Sequence, residues 1–245
     1  MKAIIVGTQR SGSNFLRHCL LSHPSILCEG ELLINGMVMT PKIIEDFRWP
    51  AKIYRYVLAG AWNPTRILNQ FLARKDAPVV AFKAMYNHLQ SAKVHEFFQQ
   101  HREIRIIHLR RDNLLKQYVS KMLLGKKRGQ KRWRPHTTKK LPPVTTRISP
   151  EAAIKSFEHI NAQYQKFERL LAQHHKIELV YETMIDGQCL TEEVARSICD
   201  LFQIEHRKMC CNFVKVNPNR LSQMIENYDE LADAFRGTPY ERFLD

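Results

Sequence analysis

The chain has 245 residues, 44% hydrophobic and 9% aromatic, which suits one domain with a substantial core and excludes a disordered or fibrous protein. Thirty-eight Lys and Arg against 24 Asp and Glu leave a formal net charge of +14. That excess points to polyanionic ligands: nucleotides, nucleic acid, acidic glycans or a membrane surface.

No run approaches the ~20 consecutive apolar residues of a membrane-spanning helix, and the apolar stretch after Met1 is too short for a secretory leader. The six cysteines, at 19, 28, 189, 199, 210 and 211, form no C-x-x-C pair. Reduced thiols and a cytoplasmic protein are the expectation.

In chain order, the apolar run 3–6 predicts a strand that enters a turn framed by Gly7 and Gly12, followed by a helix over 13–21. Turn amides and a helix N-terminus aimed at one place make an anion cradle. The glycines have the G-x-x-x-x-G spacing of a nucleotide P-loop, but Ser13 stands at the position of its lysine and Asn14 at that of its magnesium-binding hydroxyl. A triphosphate hydrolase needs both. This turn carries Arg10 instead.

Helices are predicted at 51–59, 64–74, 91–100, 113–124, 150–173, 191–202 and 220–235, and further strands at 79–83, 104–109 and 177–181. Asn63-Pro64 and Ser149-Pro150-Glu151 each place a capping residue before a first-turn proline. Thr191-Glu192-Glu193 puts acid in a first turn. Most strands are continuous apolar runs, as in a parallel sheet covered on both faces. The alternation predicts an α/β fold: a P-loop-like central parallel sheet flanked by helices, in one domain spanning 1–245. Ligands of such sheets lie beyond the carboxyl ends of the strands.

Residues 125–147 break this pattern, with nine Lys or Arg, no acid and three prolines. A basic insertion loop of that length is usually functional or disordered. Trp133 among Lys131, Arg132 and Arg134 suits a lid over a sugar bearing anionic groups. Nucleic-acid contact or a solvated segment are the alternatives.

The loop Arg10-Ser11-Gly12-Ser13 resembles the R-S-G-[ST] loop of sulfotransferases that use 3′-phosphoadenosine-5′-phosphosulfate (PAPS). The run Ser22-His23-Pro24-Ser25-Ile26-Leu27-Cys28-Glu29-Gly30-Glu31-Leu32-Leu33 resembles the same family, closest to its bacterial carbohydrate branch with the nodulation-factor and trehalose enzymes. Ile107-His108-Leu109-Arg110-Arg111, Val180-Tyr181-Glu182 and Asn227-Tyr228-Asp229-Glu230 fit the same picture.

The resemblance implies PAPS as co-substrate, 3′,5′-adenosine bisphosphate as product, no metal, and a hydroxyl acceptor on a carbohydrate or glycolipid. It implies Arg10 as the cation on the leaving oxygen, with Ser11, Gly12, Ser13, Asn14 and Phe15 around the 5′-phosphate. Glu31 is implied as the general base, with Glu29 as competitor, and a base at this position calls for burial. Lys83, ending its strand, would hold the sulfonate, and His88 is an alternative base. The family pairs an arginine with a serine eight residues on for the 3′-phosphate. Here Arg111 and Ser120 are nine apart, with Arg110 in reserve. Tyr181 and Lys215 would complete the nucleotide contacts. His108, inside an apolar strand, reads as a satisfied core histidine.

Two other classes compete: a P-loop kinase or nucleotidase relative, and a basic nucleic-acid binder. Asn14 and Ser13 argue against the first, and no recognised nucleic-acid motif supports the second.

Overall fold

Strand β1 (Lys2–Gly7) is buried along almost its whole length and occupies the centre of the sheet. The computed structural model describes residues 1–33, 64–128, 144–212 and 220–244. After β1 come α1 (Ser13–Leu21), β2 (Ile26–Glu31), α2 (Pro64–Ala73), β3 (Val79–Met85), α3 (Ala92–Gln100), β4 (Arg105–Arg110), α4 (Leu114–Arg128), α5 (Pro150–Leu170) and β5 (Lys176–Val180). The short antiparallel pair β6 (Ile185–Asp186) and β7 (Cys189–Leu190) precedes α6 (Glu192–Phe202) and α7 (Tyr228–Phe235).

The five main strands lie in the order β2-β3-β1-β4-β5, every pair parallel. Strand periodicity sorts side chains to the two faces. Ile5, Val79, Ala81, Ile107 and Leu109 pack with Leu16 and Leu20 of α1 and Ile198 and Phe202 of α6. Ile4, Val6, Val80, Phe82 and Ile106 pack with α2, α3 and Phe167 of α5 on the other face. A third cluster joins α4, α5 and α7 through Leu115, Phe157 and Phe235. The doubly covered parallel sheet is the α/β fold expected from the apolar runs.

Hydroxyl caps start three helices. Ser91, Ser149 and Thr191 accept from the amides of Val94, Ala152 and Val194.

Four sequence expectations need correction. Residues 26–31 form a strand, β2, which the interrupted run Cys28-Glu29-Gly30-Glu31 did not predict. The helix expected over 220–235 begins only at Tyr228; a 3-10 turn covers Leu221–Gln223. The Asn227 side chain holds the intervening backbone by accepting from the Ile148 amide and donating to the Ile148 carbonyl, each at 2.9 Å. The basic segment begins as helix, because α4 runs to Arg128, and it ends pinned, because Thr146 exchanges backbone bonds with Met224 and Glu226. The thiols are not all reduced: Cys189 and Cys210 form a disulfide, while Cys19, Cys28, Cys199 and Cys211 are buried and free. The predicted helix 51–59, Trp133 and Lys215 lie outside the described residues. Among the described residues no helix is long and apolar enough to cross a membrane.

Candidate active site

The site lies at the carboxyl ends of the strands. Beyond β1 the chain turns sharply, with Arg10 at φ 65° and Gly12 at φ 92°, both in the left-handed region. For a non-glycine residue that conformation costs about 1–3 kcal/mol and persists where the surroundings enforce it. Ser11, fully buried, closes the turn by donating from Oγ to the Thr8 carbonyl at 2.8 Å. A Cβ on Gly12 would stand 2.1 Å from Cδ2 of Tyr181, and one on Gly7 would stand 2.4 Å from the Leu109 carbonyl oxygen. Both glycines are therefore required by close approach. Helix α1 opens on Gly12 with no side-chain cap, which leaves its first amides and positive dipole end for an anion.

Helix α4 braces the turn. Gln117, buried, donates from Nε2 to Thr8 Oγ1 and to the Gln9 carbonyl, the latter at 2.7 Å. One turn on, Ser120 accepts from Arg10 Nε at 3.0 Å. Sequence reasoning passed over Gln117; its signal is the i, i+3 spacing to Ser120.

The loop after β4 closes the other side. Arg111 donates from Nη1 to the Arg10 carbonyl at 3.3 Å and from Nε to Glu182 at 3.3 Å. Its guanidinium lies 4.7 Å from the centre of the Tyr181 ring. Glu182 also accepts from the amides of Asp112 (2.9 Å) and Asn113 (3.2 Å), so it fixes the loop that bears Arg111. Arg110 is directed elsewhere: it is paired with Asp112 at 2.8 Å and stands over Tyr164. Ser120 bonds Arg10, and Arg111 reaches the same residue through its carbonyl, so the two residues expected at the 3′-phosphate are linked through Arg10.

The third wall comes from β2 and β3. Lys83 points to the α1 face of the sheet, where its Nζ bonds Asn14 Oδ1 and pairs with Glu31 Oε1 at 2.9 Å. The pairing of β2 on β3 shifts between Cys28, opposite Ala81, and Glu31, opposite Lys83. Three steps on β2 match two on β3, a bulge that re-aims a side chain. Without it Gly30 would face Lys83. Glu29 turns away and pairs with Arg74 at 2.7 Å.

The Glu31 side chain keeps 24% exposure, against the burial expected of it. Its second oxygen lies 3.7 Å from His88 Nε2. His88 Nδ1 accepts from the Met85 amide at 3.2 Å, which assigns the ring proton to Nε2. Burial holds His88 below the ordinary imidazole value, so it faces Glu31 as a neutral donor.

Ser13 is buried at the helix start, and Phe15 packs on the α1-side core. His108 is a satisfied core histidine: Nε2 meets Tyr86 Oη at 2.6 Å and Nδ1 meets Glu168 at 3.1 Å.

Arg10, Ser120, Arg111 and Tyr181 thus converge on one side of the α1 N-terminus, and Asn14, Lys83 and Glu31 on the other. An anion held by the helix amides would be flanked by cations, with a carboxylate at the far end.

A model of the sulfotransferase family matches residues 3–208. The chain is similar to the crystal structure of a sulfotransferase from Alicyclobacillus acidocaldarius, at 12% identity and TM-score 0.50, over 94% of this chain and 91% of that one. It is also similar to the sulfotransferase domain of the Synechococcus PCC 7002 olefin synthase, at 15% identity and TM-score 0.51, over 84% and 74%. At such identities these structures speak for the fold alone. No curated protein sequence matches the chain.

Proposed function

Since this chain belongs to the sulfotransferase family, we propose that it moves a sulfuryl group from PAPS to a hydroxyl of a carbohydrate or glycolipid. The observation that carries the reading is the seat of Lys83. Its ammonium bonds Asn14, at the position where a P-loop enzyme presents a hydroxyl to magnesium, and also touches Glu31. A protein cation stands where a phosphoryl-transfer site would hold a divalent ion.

The residues fit the donor. The uncapped amides of α1, with Ser11, Ser13 and Asn14, receive the 5′-phosphate. Arg10 neutralises the charge that grows on the bridging oxygen as the sulfur–oxygen bond breaks. Lys83 holds the sulfonate and orients Glu31. Glu31 takes the proton of the acceptor hydroxyl while the new oxygen–sulfur bond forms, and His88 steadies its second oxygen. Arg111 grips the 3′-phosphate, Ser120 sets the direction of Arg10, and Tyr181 forms the floor beneath Gly12. Catalysis of this kind is mainly alignment and electrostatics.

The test is thermal shift followed by transfer. 3′,5′-Adenosine bisphosphate stabilises the protein without magnesium, and a glycan panel supplied with PAPS gains a sulfonate detectable by mass. Stabilisation by ATP only with magnesium, and no response to the bisphosphate, would overturn the reading.

A further inference from the structure

Beyond Asn14 on helix α1 lie Arg17 and His18, three and four residues on, so all three share one face of the helix. Asn14 is the residue that Lys83 bonds. One turn advances about 5.4 Å along the axis, comparable to the breadth of one sugar ring.

Arg17 donates from Nε to the Cys28 carbonyl at 2.9 Å, at the start of the bulge that presents Glu31. That bond fixes the guanidinium beside the edge strand β2 and leaves its outer edge for a planar anion. Arg17 Nη1 lies 3.3 Å from His18 Nε2. Both side chains are half-buried. Among the described residues no carboxylate pairs with Arg17, whereas Arg74, Arg110, Arg111, Arg147, Arg196, Arg207 and Arg236 each have one.

We propose that Arg17 and His18 form a subsite for a carboxylate or sulfate already present on the acceptor, so that the enzyme prefers acidic saccharides to neutral ones. The inference rests on the sulfuryl-transfer reading and adds the substrate class to it. Lys83 and Glu31 handle the reacting hydroxyl, and Arg17 and His18, one turn away, hold the charge of the same or the adjoining sugar. The site is already electropositive. Burial, then Arg17, then Lys83 hold His18 below its ordinary value, so a bound anion would draw a proton onto it. Among the described residues, Arg17 and Lys83 are charged groups that act on it, and Glu31 and His88 face Lys83 and each other beyond.

The experiment has two arms on the full chain. In the first, sulfation at the ring hydroxyls of 4-nitrophenyl β-D-glucuronide is compared with that of 4-nitrophenyl β-D-glucoside, which differ only at C6, a carboxylate in one and a hydroxymethyl in the other. The expected wild-type preference in kcat/KM is about tenfold for the glucuronide, the scale of one charge-assisted contact. The ratio falls to about one in H18Q and R17Q and is partly restored in R17K. Equal use of both glycosides by the wild type, or a ratio untouched by either substitution, would overturn the subsite.

In the second arm, the His18 ring is followed by NMR with sodium D-glucuronate, against D-glucose in matched sodium chloride. An upward move of its titration with glucuronate alone supports the subsite, and identical curves overturn it. This arm needs no turnover. A shift of His18 with no transfer to either glycoside would sink the sulfuryl-transfer reading and keep the anion site.

Discussion

Ser120 accepts a hydrogen bond from Arg10 at 3.0 Å across 110 residues of chain. The contact steers a guanidinium whose backbone is held left-handed by the turn, and Arg111 secures the same residue from its carbonyl side. Arg10 is therefore preorganised before any ligand arrives. Preorganised charge, with little reorganisation left at the moment of reaction, is the setting in which a single cation matters most.

Arg10→Ala is expected to lower turnover at saturating donor by about 10²–10³. The bisphosphate still binds, because the α1 amides and Arg111 remain. Steady-state kinetics beside a nucleotide thermal shift checks this. Near-normal turnover would remove Arg10 from the chemistry.

Glu31 and Glu29 separate activity from stability. Glu31→Gln abolishes proton acceptance and is expected to lower kcat by about 10²–10⁴. Glu29→Gln breaks the pair between Arg74 and the Glu29 carboxylate, a side chain only 7% exposed, and lowers stability by about 1–3 kcal/mol with kcat retained. Parallel denaturation and sulfation assays read both. Full activity in the Glu31 variant ends its assignment.

Gly12→Ala would place a methyl 2.1 Å from the Tyr181 ring on a backbone at φ 92°. A loss of about 1–3 kcal/mol follows, with weaker bisphosphate binding as Tyr181 is pushed from beneath Arg111. Urea unfolding and calorimetric titration measure the two effects. A variant with unchanged stability would show that the turn has another route.

Acid should weaken the fold well above the carboxylate range. His88, His108 and His174 are all held below the ordinary 6.5, chiefly by burial. The unfolded chain then binds more protons on these rings than the native one, so unfolding free energy rises with pH. Their full contribution is present above about 6.5 and is lost as pH falls below it, by at most about 1.4 kcal/mol per histidine per pH unit. Chemical denaturation at pH 7.5 and 5.5 tests the sign; equal stability at the two would contradict it.

Much of this was legible in the chain, for stated physical reasons. The run Ala3-Ile4-Ile5-Val6 before two glycines can hardly be anything but a buried strand entering a tight turn, and Arg10 sits inside that turn by spacing alone. Strand β2 was hidden because its sheet membership depends on a bulge, where Glu29 and Gly30 interrupt the apolar signal. The start of α7 was hidden because Asn227 spends its side chain on Ile148, 79 residues away, and periodicity carries no trace of that bond. The bond between Ser120 and Arg10 was hidden for the same reason. Helical spacing shows which residues share a face of α4, not which loop that face meets.

The order of the strands has one last implication. Glu31 rides on β2, one edge strand, with Arg17 tied to that same strand, while Arg111 and Tyr181 hang from β4 and β5 on the opposite flank. If the two flanks serve acceptor and donor as proposed, substitutions along the β2 margin retune what is modified without loosening the hold on the nucleotide. Diversification of such a scaffold would run asymmetrically, fast along one border of the sheet and slow along the other.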